Sequence, residues 1–278
     1  MKAQYDNKLL SSFLLYLDNK ILSKGEAFTN HSGLFYPVEN FFNGYYTYAA
    51  PFKQLVYDTS VSGASQISGV YVGGIFKTPG TGGSLVSINP NQGQVYFDTN
   101  PDPSEVSGNY AIKDFSLLIT DEREEKLLFE TQYSLKPKAN QVITGLDPET
   151  TTYPVIFLKV NSAANESFAL GALDNSVTNI RAIVIADSAF LLDAACSIIK
   201  DCKNDRFTVL ETSSLPVDAF GGYTGVFNYT GVDTARVPVV WNVDVSKILP
   251  SRGQFTNLNP NVLCAFADFE IHDIRTHK

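Results

Sequence analysis

The chain is poor in the residues that build metal sites and disulfide frameworks. Its 278 residues include three cysteines, three histidines, one methionine and one tryptophan. The number of cysteines is odd, and Cys196, Cys202 and Cys264 form no C-x-x-C pair. Both observations argue against a disulfide framework and a structural zinc site. The sequence therefore predicts reduced, structural thiols and no bound metal ion.

Common catalytic patterns are also missing. The chain contains no H-E-x-x-H, G-x-S-x-G or G-x-G-x-x-G pattern. Two of its histidines, His272 and His277, lie near the chain end. Asp98 and Asp187 fall near the ends of expected strands, so a carboxylate site stays open as an alternative. We predict that the chain is not an enzyme, has no catalytic residues and binds no cofactor.

Long apolar runs are absent, and positive charge is scarce. Asp6 and Asp18 interrupt the hydrophobic N-terminal stretch, and no apolar run approaches the ~18 residues of a membrane span. We therefore expect no signal peptide and no membrane contact. The formal net charge of −8 disfavours a tight grip on nucleic acid. An acidic channel would instead let DNA pass without specific binding.

Aromatic residues and turn-forming residues are abundant and indicate β-structure. Fourteen Tyr and nineteen Phe accompany at least nine alternating, strand-like segments. Helical spacing of apolar residues predicts only two helices, at 7–23 and near 188–201, with Gly25 capping the first. The predicted fold is mainly β (α+β): a β-sandwich or β-barrel core with an N-terminal helix, one further helix and long loops.

The expected strands follow one another without intervening helices, so a βαβ arrangement is not expected. The segments 108–120 and 125–135 flank a charged stretch at 121–124 and are predicted to form a hairpin. The remaining expected strands are 44–58, 67–77, the pair within 84–97, 151–160, 178–187, 237–249 and 261–274. Residues 1–278 are predicted to form one continuous domain, with a possible soft boundary near 140–150.

The glycine-rich stretch "KTPGTGGS" invites comparison with a phosphate-binding loop. Its lysine, Lys77, precedes the glycines, and an alternating strand rather than a helix follows them. The pattern favours a loop beside a β-hairpin at 84–97 that projects toward a neighbouring molecule. The residues predicted to shape this projecting hairpin are Pro79, Gly80, Gly82, Gly83, Asn89, Pro90 and Gly93.

The long segment 211–235 carries aromatic side chains that a purely solvated loop would not need. Loops of this length in compact domains are usually functional. We predict that these aromatics and the N-terminal helix contact other subunits; packing on the chain's own sheet is the alternative. The candidate subunit-interface residues are Leu10, Phe13, Leu14, Leu17, Phe220, Tyr223, Phe227 and Tyr229.

Four segments carry a resemblance to a known class of protein. They are "YYTYAAPFKQLVYDTSVSGA" (45–64), "LVSINPNQGQVYFD" (85–98), "YAIKDFSLLITDEREEKLLFETQYSLKPK" (110–138) and "TNIRAIVIADSAFLLDAACSIIKD" (178–201). Along most of its length, from about residue 5 to about residue 275, the chain resembles virion structural proteins of tailed bacteriophages, notably marine and cyanobacterial phages. The resemblance rests on no catalytic motif, so it carries over no active residues.

This resemblance implies a place in the virion, after synthesis in the cytoplasm of the host bacterium. The favoured position is the neck, as a head–tail connector that forms a homo-oligomeric ring. Its partners would be portal or adaptor proteins on one side and tail proteins on the other, with DNA passing through. Tail, baseplate and outer-capsid positions are alternatives within the class.

A glycan-binding module is the alternative from another class. Exposed aromatic rings stack on sugars, and Trp241 is the single tryptophan. Because Trp241 falls in an alternating strand, the sequence predicts that its side chain lies in the core.

Overall fold

The structure is a computed structural model that describes residues 2–42, 44–80, 84–102, 105–131, 153–167, 174–225, 227–234, 237–248 and 262–275. The described part of the chain is mainly β, with three α-helices, and confirms the predicted α+β class. The predicted soft boundary near 140–150 lies outside the described residues.

The helices are α1 (Tyr5–Gly25), α2 (Glu124–Thr131) and α3 (Ala189–Lys200). The first strands are β1 (Phe28–Leu34), β2 (Tyr36–Phe42), β3 (Tyr45–Ala49), β4 (Val70–Val72), β5 (Ile75–Lys77), β6 (Leu85–Asn89) and β7 (Gln94–Phe97). The later strands are β8 (Val106–Lys113), β9 (Ser116–Ile119), β10 (Val155–Ser167), β11 (Asp174–Ala186), β12 (Val239–Ile248) and β13 (Leu263–Arg275).

Both predicted helices are confirmed, with small changes at their ends. At the start of α3, the Ser188 hydroxyl accepts a hydrogen bond from the Leu191 N–H, as the sequence predicts. Gly25 is the last residue of α1, and Glu26 takes the left-handed conformation after it. Gly25 is therefore not the cap that the sequence predicts; it is required for helix packing, because a Cβ there would lie 2.8 Å from Cδ1 of Ile198 on α3. The glycine lets the two helices approach each other closely.

The largest sheet has five strands in the order β12-β13-β11-β10-β9. Its inner face packs on α1 and α3 around the main hydrophobic cluster, which includes Phe13, Phe207 and Phe269. A smaller cluster on the outer face includes Leu127 and Leu128 of α2. The outer face beyond α2 is polar and partly exposed.

The other two sheets have four strands each, in the orders β1-β8-β4-β5 and β2-β3-β7-β6. They share one hydrophobic cluster, to which Tyr110 contributes from the first sheet and Tyr48 and Phe97 from the second. This is the arrangement of a β-sandwich. The described strands do not close into a barrel, so the sandwich is the form of core that the structure supports.

Strand β8 joins the two halves of the molecule. Its Tyr110 and Ile112 point into the sandwich cluster, whereas the intervening Ala111 belongs to the main cluster beside α1. Alternation along a strand sends successive side chains to opposite faces, so one strand serves both cores. The chain then enters β9 of the large sheet within three residues.

The predicted hairpin around 121–124 is wrong. The segment starting at Glu124 forms α2, and β9 pairs with β10 in parallel, so a local β-α-β connection exists where none was expected. Leu127 and Leu128 are buried against the outer face of the large sheet, and Lys126 pairs with Glu122 one turn earlier. The short run of apolar residues is compatible with the residue period of a strand or of a helix. Burial of Leu127 and Leu128 against the sheet favours the helix.

Strands β1 and β2 fall in a region where the sequence predicts none. In the described part of the chain, no helix is long and apolar enough to cross a membrane.

Candidate functional site

The helix residues predicted to contact other subunits mostly belong to the chain's own core. Phe13, Leu14 and Leu17 are at most 1% exposed. Phe13 packs against Phe207 and Phe269 at ring-centre distances of 5.5 and 4.8 Å. The prediction is wrong for these three, because α1 fills the inner face of the large sheet. Leu10 is only half-buried and lines an open groove.

The aromatic residues of 211–235 divide into two pairs. Tyr229 is buried and Phe227 half-buried against their own chain, so for this pair the alternative of packing on the chain itself holds. Phe220 and Tyr223 are 75% and 51% exposed. These two remain candidates for contact with another molecule.

The loop that presents Phe220 is held in place by Asp218. The Asp218 carboxylate accepts hydrogen bonds from the backbone N–H groups of Phe220 and Gly222, each at 2.8 Å. These bonds hold the pKa of Asp218 below its ordinary value. A backbone hydrogen bond of 2.7 Å from Ala3 to Ala219 ties the same loop to the start of the chain. The exposed ring is thus presented by a fixed turn.

A groove of about 1170 Å³ runs beside this loop. It lies between the first turns of α1, the edge strand β9 and the 212–223 segment. Its apolar lining comes from all three: Leu10, Leu14, Leu118, Ile119, Leu215, Val217, Phe220 and Tyr223. An apolar groove rimmed by polar residues at an open sheet edge has the character of a protein-binding surface.

The predicted projecting hairpin is clamped onto its own chain. Its strands β6 and β7 pair as predicted, but the tip accepts backbone hydrogen bonds from the 50–55 segment at Pro90, Asn91 and Gly93. Tyr223 also donates a 3.4 Å hydrogen bond to the Asn91 side chain. The prediction of a projecting tip is therefore wrong for Asn89, Pro90 and Gly93. Pro79 and Gly80 lie in a turn before β6, and Gly82 and Gly83 lie outside the described residues.

Trp241 is exposed, contrary to the prediction from its strand. Its side chain is 58% exposed on β12, the edge strand of the large sheet opposite β9. A register shift between Val240 and Asn242 inserts one extra residue against β13. Val240 keeps its place in the core, and the extra residue, Trp241, turns to the outer face.

The Trp241 ring packs against His272 in a tilted arrangement, with ring centres 5.2 Å apart. His272 Nε2 lies 2.6 Å from Glu270 Oε1, and His272 Nδ1 lies 3.2 Å from Asn175 Nδ2. These two partners fix the imidazole, which in turn supports one face of the indole. The group Trp241, His272, Glu270 and Asn175 is called the Trp241 patch below.

A charged cluster lies farther along the same outer face. The Arg181 guanidinium pairs with both Asp268 oxygens at 2.6 and 2.8 Å and also contacts Glu124 at 3.1 Å. Nζ of Lys159 also lies 3.1 Å from Oε1 of Glu124. The hydrogen bond to Asp268 is the main cause of a raised pKa for Arg181. This network ties α2 to the sheet, and its charges are already paired.

The three cysteines are free and buried, as expected of structural thiols. Burial raises the pKa of Cys202 to about 11 and that of Cys264 to about 12, so both favour the unreactive thiol form. Over the described residues, no three His, Cys, Asp or Glu side chains gather closely enough to hold a metal ion.

No protein-family model matches the chain, and no curated protein matches it.

Proposed function

We propose that this chain is a structural component of a tailed-phage virion, namely a neck or head–tail connector protein that assembles into a ring. The proposal comes from the resemblance of its sequence segments to such virion proteins. The structural observation that best supports it is the apolar groove with Phe220 and Tyr223 exposed at its rim. Portal or adaptor proteins and tail proteins would be the neighbours of the ring.

The acidic character of the chain agrees with this role. A net charge of −8 would let DNA move through a ring without adhering to its wall. Tail, baseplate and outer-capsid positions use the same kind of subunit surface and remain alternatives within the proposal.

The test is the assembly state of the purified chain. Light scattering and negative-stain imaging at several concentrations should show rings, formed alone or only after purified portal or tail proteins are added. Phe220→Ser should lower the ring population at least tenfold, because it removes an exposed apolar anchor from the contact.

The matched control is Phe190→Ser, which alters an 80% exposed aromatic side chain on α3 outside the groove. This variant should assemble like the wild type. A wild-type chain that stays monomeric with every virion component would refute the proposed function. Equal assembly of both variants would refute the role of the groove.

Glycan binding is the second candidate, and the exposure of Trp241 is the observation that favours it. A supported indole face beside carboxylate and amide groups offers stacking for a sugar ring and hydrogen bonds for its hydroxyls. The burial argument that counted against this candidate at the level of sequence no longer applies.

The single tryptophan makes this candidate easy to test, because intrinsic tryptophan fluorescence reports on the Trp241 patch alone. Titration with bacterial surface oligosaccharides should shift the emission, and Trp241→Ala should abolish binding measured by calorimetry. Phe190→Ala is the control and should bind normally. Unchanged fluorescence across a broad oligosaccharide panel would count against the candidate.

A further inference from the structure

A lysine and an aspartate meet inside the protein, away from both surfaces described above. Nζ of Lys113, at the end of β8, lies 2.5 Å from Oδ2 of Asp18 on α1. Their side chains are 7% and 1% exposed. The phenol of Tyr229, itself 5% exposed, donates a hydrogen bond to the same Oδ2. Removing such a pair from water has a large desolvation cost.

The Lys113 amine is buried against an aromatic ring. Its Nζ lies 3.7 Å from the centre of the Phe227 ring. Burial lowers the pKa of the Lys113 amine, and the nearby Asp18 carboxylate opposes this shift without cancelling it. The Tyr229 backbone N–H donates to Asp58 at 2.7 Å, which holds the phenol in place.

The same chain contains a less buried counterpart with the same three residue types. Lys20 and the Tyr16 hydroxyl both contact Oδ2 of Asp205, but Lys20 and Asp205 are 17% and 34% exposed at their side chains. Water can therefore reach the charged groups of this second triad. The two triads thus share their residue types and differ in burial.

We propose that Lys113 and Asp18 join through an intramolecular amide bond between Nζ and Cγ. A C–O bond adds about 1.2 Å to the Nζ–Oδ2 distance, so Cγ lies no farther than about 3.7 Å from the nitrogen. This is close to the ~3–3.5 Å of a geometry ready for attack, in which groups held together react at a high effective concentration.

The reaction is a condensation that releases one water. In the first step a proton passes from the Lys113 ammonium to the Asp18 carboxylate. The amine nitrogen then attacks Cγ of the carboxylic acid, while the Tyr229 phenol polarises the carboxyl group by donating to Oδ2. The C–Oδ2 bond breaks, and Oδ2 leaves as water with the acid proton and one amine proton. No oxidant or other reactant is needed. Both reacting residues line a cavity of about 350 Å³, into which the water can depart.

The bond would tie the main core to the sandwich. It would connect α1 to β8 and close a long loop of chain, which restricts the unfolded state as a disulfide does. The inference concerns this chain alone and is independent of whether it forms part of a virion.

The test is the intact mass of the full-length purified protein, followed by a tryptic peptide map. The wild type should be lighter than its sequence by one water, and tandem mass spectrometry should find a branched peptide containing Asp18 and Lys113. Lys113→Met should have its full sequence mass. Tyr229→Phe should lower the cross-linked fraction, because it removes the donor to Oδ2.

Lys20 provides the internal control, since trypsin should cleave after it as after any free lysine. A wild-type mass equal to the full sequence, with cleavage after Lys113, would overturn the proposal. A loss of water without a branched Asp18–Lys113 peptide would also overturn it. If Lys113→Met does not fold, the wild-type mass and peptide map still decide the question.

Discussion

His31 shows how a single side chain can make stability depend on pH. Its imidazole on β1 stacks on Phe52 with ring centres 4.6 Å apart and lies 6.1 Å from the ring centre of Tyr110. Its Nε2 atom is buried and has no hydrogen-bond partner among the described residues. Desolvation lowers the pKa of His31, and Asp114 only partly opposes the shift. The folded state therefore prefers the neutral ring.

This shift predicts a loss of stability on acidification. The unfolded chain, with a histidine pKa of about 6.5, binds more protons than the folded chain below that pH, so stability falls as pH decreases from there. Urea unfolding at about pH 7.5 and about pH 5.5 should show a smaller acid-induced loss for His31→Phe, which keeps the ring stacking without the titration. Identical losses in wild type and variant would contradict this assignment.

Trp241 was misplaced because a β-bulge cannot be seen in the alternation of residue types. The sequence "VPVVWNVDV" alternates well enough to suggest a core position for the indole. One extra residue in β12 sends Trp241 to the outer face while Val240 stays inside. A bulge depends on the pairing with β13, a partner that follows later in the chain.

Among the elements, the β6–β7 hairpin yields a prediction at its turn. Gly93 has a φ of 65°, and a Cβ at that position would overlap the carbonyl oxygen of Phe52. Gly93→Ala combines left-handed strain with overpacking and should lower the free energy of unfolding by about 2–4 kcal/mol. Denaturant unfolding followed by circular dichroism measures this change.

Gly80 is the matched control for this substitution. Its φ is 74°, and a Cβ there would meet nothing within 4 Å. Gly80→Ala should cost only about 1 kcal/mol, from backbone strain alone. If both substitutions cost the same, the hairpin tip is not clamped as the structure describes it.

The helix α2 shows how neighbouring elements decide between two patterns. Its short run of apolar residues fits a strand or a helix. Leu127 and Leu128 become buried only because the outer face of the large sheet is available to cover them. Glu124 then reaches Lys159 and Arg181 on β10 and β11. Lys159 and Arg181 are distant from Glu124 in sequence, so a prediction from local sequence could not include these contacts.

At the scale of the whole molecule, the large sheet offers two candidate surfaces, one beside each of its edge strands. The groove lies beside β9, and the Trp241 patch lies beside β12 at the opposite edge. A cyclic ring needs two different surfaces on each subunit, one for each neighbour. The assembly experiment with Phe220→Ser tests the first of these surfaces, and Trp241→Ala can be examined for assembly in the same way.

The two cores are also linked at this scale. Strand β8 contributes to both, and the Lys113–Asp18 contact joins its end to α1. The single continuous domain stays a prediction, and its possible boundary near 140–150 lies outside the described residues.

The sequence by itself determined the fold class, helices α1 and α3 and the β6–β7 pairing. These features depend on local periodicity, capping and composition, which residues close in sequence carry. Only the tertiary structure decided which aromatic side chains are exposed, where Trp241 points and that Asp18 meets Lys113. Those outcomes depend on strand register and on contacts between distant segments, because burial is set by what a residue packs against rather than by its own type.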